Sequence, residues 1–269
     1  PIVCAAIMPH GDALLPFVQP DPLELHAVRS VLEEIGRSVR AARPDAVLLL
    51  SPHHIRIRGQ IAVTSSAFVE GTMTGPGGEF HCRLPVARNL SEKVASAART
   101  AGLRAAEVNY ATADGDLSCL PLDWGSLIPL FFLTDGGAVP CPVTVVGPPR
   151  DLGLHPLVTF GREILKATEH MRIALIASAD LGHAHLVDGP YGYHMSADRY
   201  DRLVQHAVGS GDLTPFADTD PDLIENAKAD APWQLAILHG ALQTPAHTIS
   251  WAYARPTYFG MLAALFAAD

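Results

Sequence analysis

Residues 46–56 read AVLLLSPHHIR. Five apolar residues, Ala46–Leu50, run without a polar interruption into Ser51, Pro52 and two adjacent histidines, His53 and His54. A short continuous apolar run of this kind fits a strand buried on both faces. Pro52 has no N–H to give a ladder and ends it. The two imidazoles are thus delivered to the carboxyl end of a buried strand, where open α/β sheets place their ligand sites. Two other stretches repeat the arrangement: Ile2–Met8 leads into Pro9-His10-Gly11, and Ile173–Ser178 leads into Asp180-Leu181-Gly182-His183.

Outward from these runs, strands alternate with helices. Residues Pro22–Ala42 place Leu25, Val28, Leu32, Ile35 and Val39 at helical spacing, with Asp21 as N-cap and Pro22 at the first position. This helix would join Ile2–Met8 to Ala46–Leu50 as a β-α-β unit, making those two strands neighbours. Further strands are expected at Gln60–Ser65, Arg104–Val108 (an edge) and Pro142–Val146, and further helices at Val86–Ala101, Ser126–Leu133, Leu152–Lys166, Ser196–Gly209, Asp220–Lys228 and Pro232–Leu242. Gly71–Gly78 reads as a glycine-rich loop and Asp114–Leu122 as a polar, irregular one. Thr248–Tyr253 and Tyr258–Phe266 read as paired strands or as a strand and a closing turn. The pattern predicts an α/β fold: one compact domain over residues 1–269, with a central mixed β-sheet flanked by helices and a site at strand carboxyl ends.

Bulk properties narrow the function classes. The 269 residues are 48% hydrophobic and 17% charged, enough for one large core. A net charge of −9, with 19 scattered Lys and Arg, argues against a nucleic-acid surface or an anionic-membrane surface. No apolar run approaches the roughly 20 residues that span a bilayer. The opening PIVCAAIMPHG lacks the basic region and cleavage site of a signal peptide, so a cytoplasmic location is expected. Cys4, Cys82, Cys119 and Cys141 show no C-x-x-C spacing and read as reduced, buried thiols. Thirteen histidines are the compositional hint of metal or proton chemistry.

One histidine at a strand end is ordinarily structural; two on strands of one unit point to a shared metal. Two imidazoles and a carboxylate with open positions suit non-haem Fe(II) and oxygen chemistry, and zinc hydrolases use the same ligand types. The carboxylate candidates are Glu225 and Asp230 in LIENAKADAPWQL. Asp230 is also a good N-cap for the apolar helix that follows. His183, in ASADLGHAH, is placed as a general acid/base, with His185 as its alternative if the loop turns differently.

The series PHG (9–11), SPHHI (51–55), DWGSLIPL (123–130), ASADLGHAH (177–185) and WQLAILHGAL (233–242) resembles the class III extradiol ring-cleavage dioxygenases, in the protocatechuate 4,5-dioxygenase catalytic-subunit superfamily. The motifs follow the family order over nearly the whole chain. The resemblance implies an Fe(II) enzyme that opens catechol-type or aminophenol-type rings with O2. It makes His10 the first metal histidine, His53 the second with His54 as the alternative, and His183 the acid/base. His54, Trp124 and His185 would line the substrate pocket. Many relatives carry Asp-His-Gly where this chain has Asp123-Trp124-Gly125, and the family's metal Glu has two candidate counterparts here, Glu225 and Asp230. The implied partners are a small aromatic diol and O2, in a homo-oligomer; some family members also work with a small second subunit. A zinc-dependent hydrolase and a non-catalytic metal-binding member are the alternatives.

Overall fold

The computed structural model describes residues 1–20, 22–134, 141–242 and 245–267. In chain order its elements are β1 (Ile2–Met8), α1 (His26–Ala42), β2 (Ala46–Leu50), β3 (Gln60–Thr64), β4 (Phe68–Gly75), β5 (Gly78–Pro85), α2 (Arg88–Thr100), β6 (Arg104–Val108), β7 (Cys119–Pro121) and α3 (Trp124–Leu133). Then come β8 (Val143–Gly147), α4 (Leu154–Ala167), β9 (Ile173–Ser178), α5 (Ser196–Ser210), α6 (Pro215–Asp218), α7 (Pro221–Ala227), α8 (Pro232–Ala241), β10 (Thr248–Ala254) and β11 (Met261–Phe266). Eight strands form one mixed sheet in the order β10-β11-β1-β9-β2-β8-β3-β6, so β6 is the expected edge.

Within this sheet β1, β9, β2 and β8 run parallel. The β-α-β expectation needs correction in one respect: β1 and β2 are not neighbours, because β9 lies between them and pairs with both. Alternation divides the sheet's two faces cleanly. Ala5, Ile7, Leu48 and Leu50 pack with α2, α4, α5 and α8, whereas Cys4, Ala6, Met8, Val47 and Leu49 pack with α1 and α3. Helix α1 buries Val28, Leu32, Ile35 and Val39, at about 1.5–3 kcal/mol each relative to exposure. It begins at His26 after a 3-10 turn over Leu23–Leu25, later than its sequence signals suggest. Asp21, the expected N-cap, lies outside the described residues.

The glycine-rich stretch 71–78 is not a loop. Strands β4 and β5 pair antiparallel through Gly75↔Gly78, and β7 joins them parallel to β4 in a separate three-stranded sheet. Gly71 is there for contact, since a Cβ at that position would lie 2.9 Å from Leu127. Among the described residues no helix is long and apolar enough to cross a membrane.

Helices α4 and α8 touch backbone to backbone. A Cβ on Gly240 would lie 1.9 Å from the Val158 carbonyl oxygen, and one on Gly161 would lie 2.1 Å from that of Ile237. Gly240→Ala is therefore expected to push the helices apart and lower unfolding free energy by about 1–3 kcal/mol, read from a urea midpoint. Burial also pushes the Cys4, Cys82 and Cys141 thiols up to about 11. At pH 8 these thiols should resist a disulfide reagent in the native protein and react on unfolding.

Candidate metal centre

The parallel strands β1, β9 and β2 end on the same side of the sheet, and each carries part of one site. His10 follows β1 by two residues and is 3% exposed. His53 follows β2 within the Ser51-Pro52-His53-His54 turn. Asp123 caps α3 by accepting from Ser126 N, and its Oδ1 also accepts from Ser51 Oγ at 2.7 Å, which ties the histidine turn to that helix. Trp124, the first residue of α3, stacks on the His53 ring at 4.2 Å between centroids.

The third member comes from the other end of the chain. Asp230 stands just before α8, buried at 4% exposure. It is not the N-cap: Ala231 holds that position and no side chain caps the helix. The Asp230 side chain is turned instead to the imidazoles. Its Oδ2 lies 3.3 Å from His10 Nε2 and 3.4 Å from His53 Nε2, and the two Nε2 atoms are 3.2 Å apart. Among the described residues, these are the three His, Cys, Asp or Glu side chains able to share one metal ion.

Hydrogen bonding behind the site decides what these atoms offer. Ser178 Oγ donates to the Gly125 carbonyl, so it accepts from His10 Nδ1, 2.9 Å away. With the proton on Nδ1, the neutral ring presents a bare Nε2 lone pair to the site. Asp230 Oδ2 is buried and makes no hydrogen bond. Lone pairs converging on one point repel unless a cation lies between them. A point equidistant from the three atoms is about 1.9 Å from each (their mean separation over √3), close to the roughly 2.0–2.2 Å of imidazole and carboxylate metal bonds. The donor set fits a divalent metal.

Charge is unevenly placed around it. Burial opposes ionisation of Asp230, but His10 and His53, with Arg150, more than offset it and hold the carboxyl well below the usual carboxylate range. Burial works against a charge on His10, yet Asp180, with Asp230 and Asp123, lifts its pKa above the ordinary value. Asp180 is raised by its own burial, a shift partly cancelled by His10 and His183. Its Oδ1 accepts from His10 N at 2.9 Å.

His183 belongs to the loop after β9. Its Nδ1 lies 2.9 Å from the Leu181 carbonyl, which can only accept, so Nδ1 donates there and Nε2 is left with its lone pair. The ring stacks on Phe259 at 5.1 Å and meets Tyr191 edge-on at 5.8 Å. Asp201, 1% exposed, anchors this loop from below. It accepts from Gly182 N at 2.8 Å, from Tyr253 Oη at 2.7 Å and from His185 Nε2 at 2.9 Å. His53, His183, Tyr191, Arg150, Asp230 and Trp233 line one groove of about 1040 Å³.

Several sequence expectations therefore change. Glu225 sits on the rim of this groove, 78% exposed in its side chain and paired with Lys228, and it is not part of the three-atom cluster. His54 is turned inward, its Nε2 on Thr64 Oγ1 at 2.8 Å, and does not line the groove. His185 is also buried away from it, held between Asp201 and Arg255. Trp124 supports His53 and is not among the groove's lining residues. Sequence reasoning gave no role to Asp180, although it lies inside ASADLGHAH, or to Arg150, which follows Pro148-Pro149 just past the end of β8.

A family model described as the catalytic LigB subunit of aromatic ring-opening dioxygenase matches residues 4–265. The chain belongs to the LigB family. A curated protein of Clostridium acetobutylicum is 22% identical over 241 residues, which is 88% of this chain and 51% of that protein. The chain thus spans about half the length of the curated relative it matches. An uncharacterized protein from Escherichia coli K12, known from its crystal structure, aligns with a TM-score of 0.62 at 15% identity, covering 98% of this chain and 99% of that one. That likeness speaks to the fold alone. LigB proteins are typically metal-dependent, and the His10–His53–Asp230 group fits that property.

Replacing the two candidate carboxylates separates their roles. Asp230→Asn is expected to lose most bound metal after reconstitution, whereas Glu225→Gln retains wild-type stoichiometry, both measured by elemental analysis of desalted protein.

Proposed function

We propose that this LigB-family chain is a non-haem Fe(II)-dependent extradiol dioxygenase that cleaves a catechol-type or aminophenol-type ring with O2. The observation that carries the reading is the meeting of His10 Nε2, His53 Nε2 and Asp230 Oδ2 within 3.2–3.4 Å at the wall of a groove that also holds His183. Two neutral imidazoles and one carboxylate with open positions suit non-haem iron. When bound, Fe(II) supplies open positions for the ring oxygens and for O2 and exchanges electrons between them.

The chain's own residues supply the rest. His183 has Nδ1–H committed to the Leu181 carbonyl, so Nε2 accepts the proton of a ring hydroxyl and later returns it to a departing oxygen. Phe259 and Tyr191 hold that imidazole in plane, so proton transfer needs no reorientation of the ring. Trp124 and the Ser51–Asp123 bond fix His53 from behind. The groove is far larger than the three-atom cluster beside it, and His10 and Asp230 are themselves buried, which keeps bulk water from most of their surface.

Oxygen uptake by iron-reconstituted protein with a panel of catechols and aminophenols tests the reading. Ring-opened product with stoichiometric O2 supports it; zinc as the purified metal, with no O2 uptake across the panel, overturns it. Within an active enzyme, His183→Ala should keep iron and lose about 10²–10⁴ in kcat. Unchanged turnover in that variant removes His183 from the mechanism.

A further inference from the structure

Arg150 follows β8 after Pro148 and Pro149, and two successive prolines leave that approach little backbone freedom. Its guanidinium pairs with Asp230 Oδ1 and lies over the Trp233 ring, 5.5 Å from the centroid. Trp233 is three residues past Asp230, on the first turn of α8. One side of the guanidinium is thus set by the indole and its donor edge by the carboxylate. The Arg150 side chain is 36% exposed, while that of Asp230 is 5% exposed.

The two oxygens of Asp230 consequently have different partners. Oδ1 is taken by Arg150, and Oδ2 faces His10 and His53 with no hydrogen bond of its own. A carboxylate left to itself can meet a cation through one oxygen or both, and rotation about its last bond exchanges them. Aspartate also reaches one methylene less far than glutamate, so its direction has to be set from outside.

We propose that Arg150 is the positioning residue of this metal centre: by holding Oδ1 it makes Asp230 a one-oxygen ligand through Oδ2. This rests on the metal-site reading above. Partners of ligand side chains commonly control metal affinity about 10–100-fold, and a planar fork held on an aromatic face does so with little entropy to lose. Arg150 itself lines the groove wall, beside the carboxylate it holds.

Cobalt(II) is a suitable probe, because its visible ligand-field spectrum reports coordination number and its affinity is measurable against a chelator without any turnover. Arg150→Met is expected to weaken Co(II) binding about 10–100-fold and to change the spectrum as both Asp230 oxygens become free to bind. Arg150→Lys, a charge without the fork, should recover part of the affinity but not the wild-type spectrum. Trp233→Leu, which removes the face beneath the guanidinium and keeps the ion pair, should weaken binding by less than Arg150→Met. It tests the same clamp if the methionine variant fails to fold by circular dichroism. Affinity within twofold of wild type, or tighter, with an unchanged spectrum in folded Arg150→Met or in Arg150→Lys overturns the proposal alone. Failure of the wild-type protein to bind Co(II) at all overturns it together with the metal reading.

Discussion

The Nε2 atoms of His10 and His53 meet at 3.2 Å although a whole strand separates the backbones that carry them. With strands roughly 4.7–4.9 Å apart, the ends of β1 and β2 are on the order of 10 Å from each other, and the imidazoles close that gap by leaning over the end of β9. That crossing is possible because β9 ends in Ser178 and is followed by Ala179, residues with little bulk. Ser178 does more than yield space, since its hydroxyl fixes the tautomer of His10. The site depends on this middle strand: a larger side chain at 178 or 179 would separate the ligands, and a different donor would present His10 with a proton where a lone pair is needed.

Electrostatics follow from that placement. Three carboxylates, Asp123, Asp180 and Asp230, surround His10 at depths where unpaired charge is costly. Asp123 is satisfied by Ser51 and Ser126, Asp180 by the His10 amide, and Asp230 on one oxygen by Arg150. What remains is Oδ2 of Asp230, a fully buried oxygen that has no hydrogen bond. A divalent cation between Oδ2 and the two imidazoles would resolve that imbalance, so the fit to a metal arises from the placement of donors and acceptors around the site.

The strand ends were legible because apolar runs closed by Pro9, Pro52 or Asp180 carry their own stop signals. Spatial strand order was not, since no local feature of Ile173–Ser178 says that it inserts between two strands read as neighbours. The choice between Glu225 and Asp230 follows a similar line. Glu225 has Lys228 three residues on, the spacing of a surface pair, whereas Asp230 lies among Ala229, Ala231 and Pro232, all buried. The inward turn of His54 and His185 could not be read at all, because each depends on distant partners: Thr64 for one, Asp201 and Arg255 for the other. The stretch 71–78 was misread because its glycines serve a tight turn and close packing on α3 rather than flexibility.

The loop that bears His183 is stitched to the segment 258–261. Leu181 N donates to the Gly260 carbonyl, Gly260 N donates to Gly182 O, and Phe259 covers the imidazole. Strand β11 then pairs with β1, bringing residues 264–266 beside residues 5–7. During synthesis His10 and His53 emerge long before the segment that packs on His183, so a nascent chain carries both imidazoles of the cluster before the third ring has its seat. Contacts of such sequence separation form late and slowly. The seat of His183 is thereby completed only once β11 has closed the sheet on its first strand.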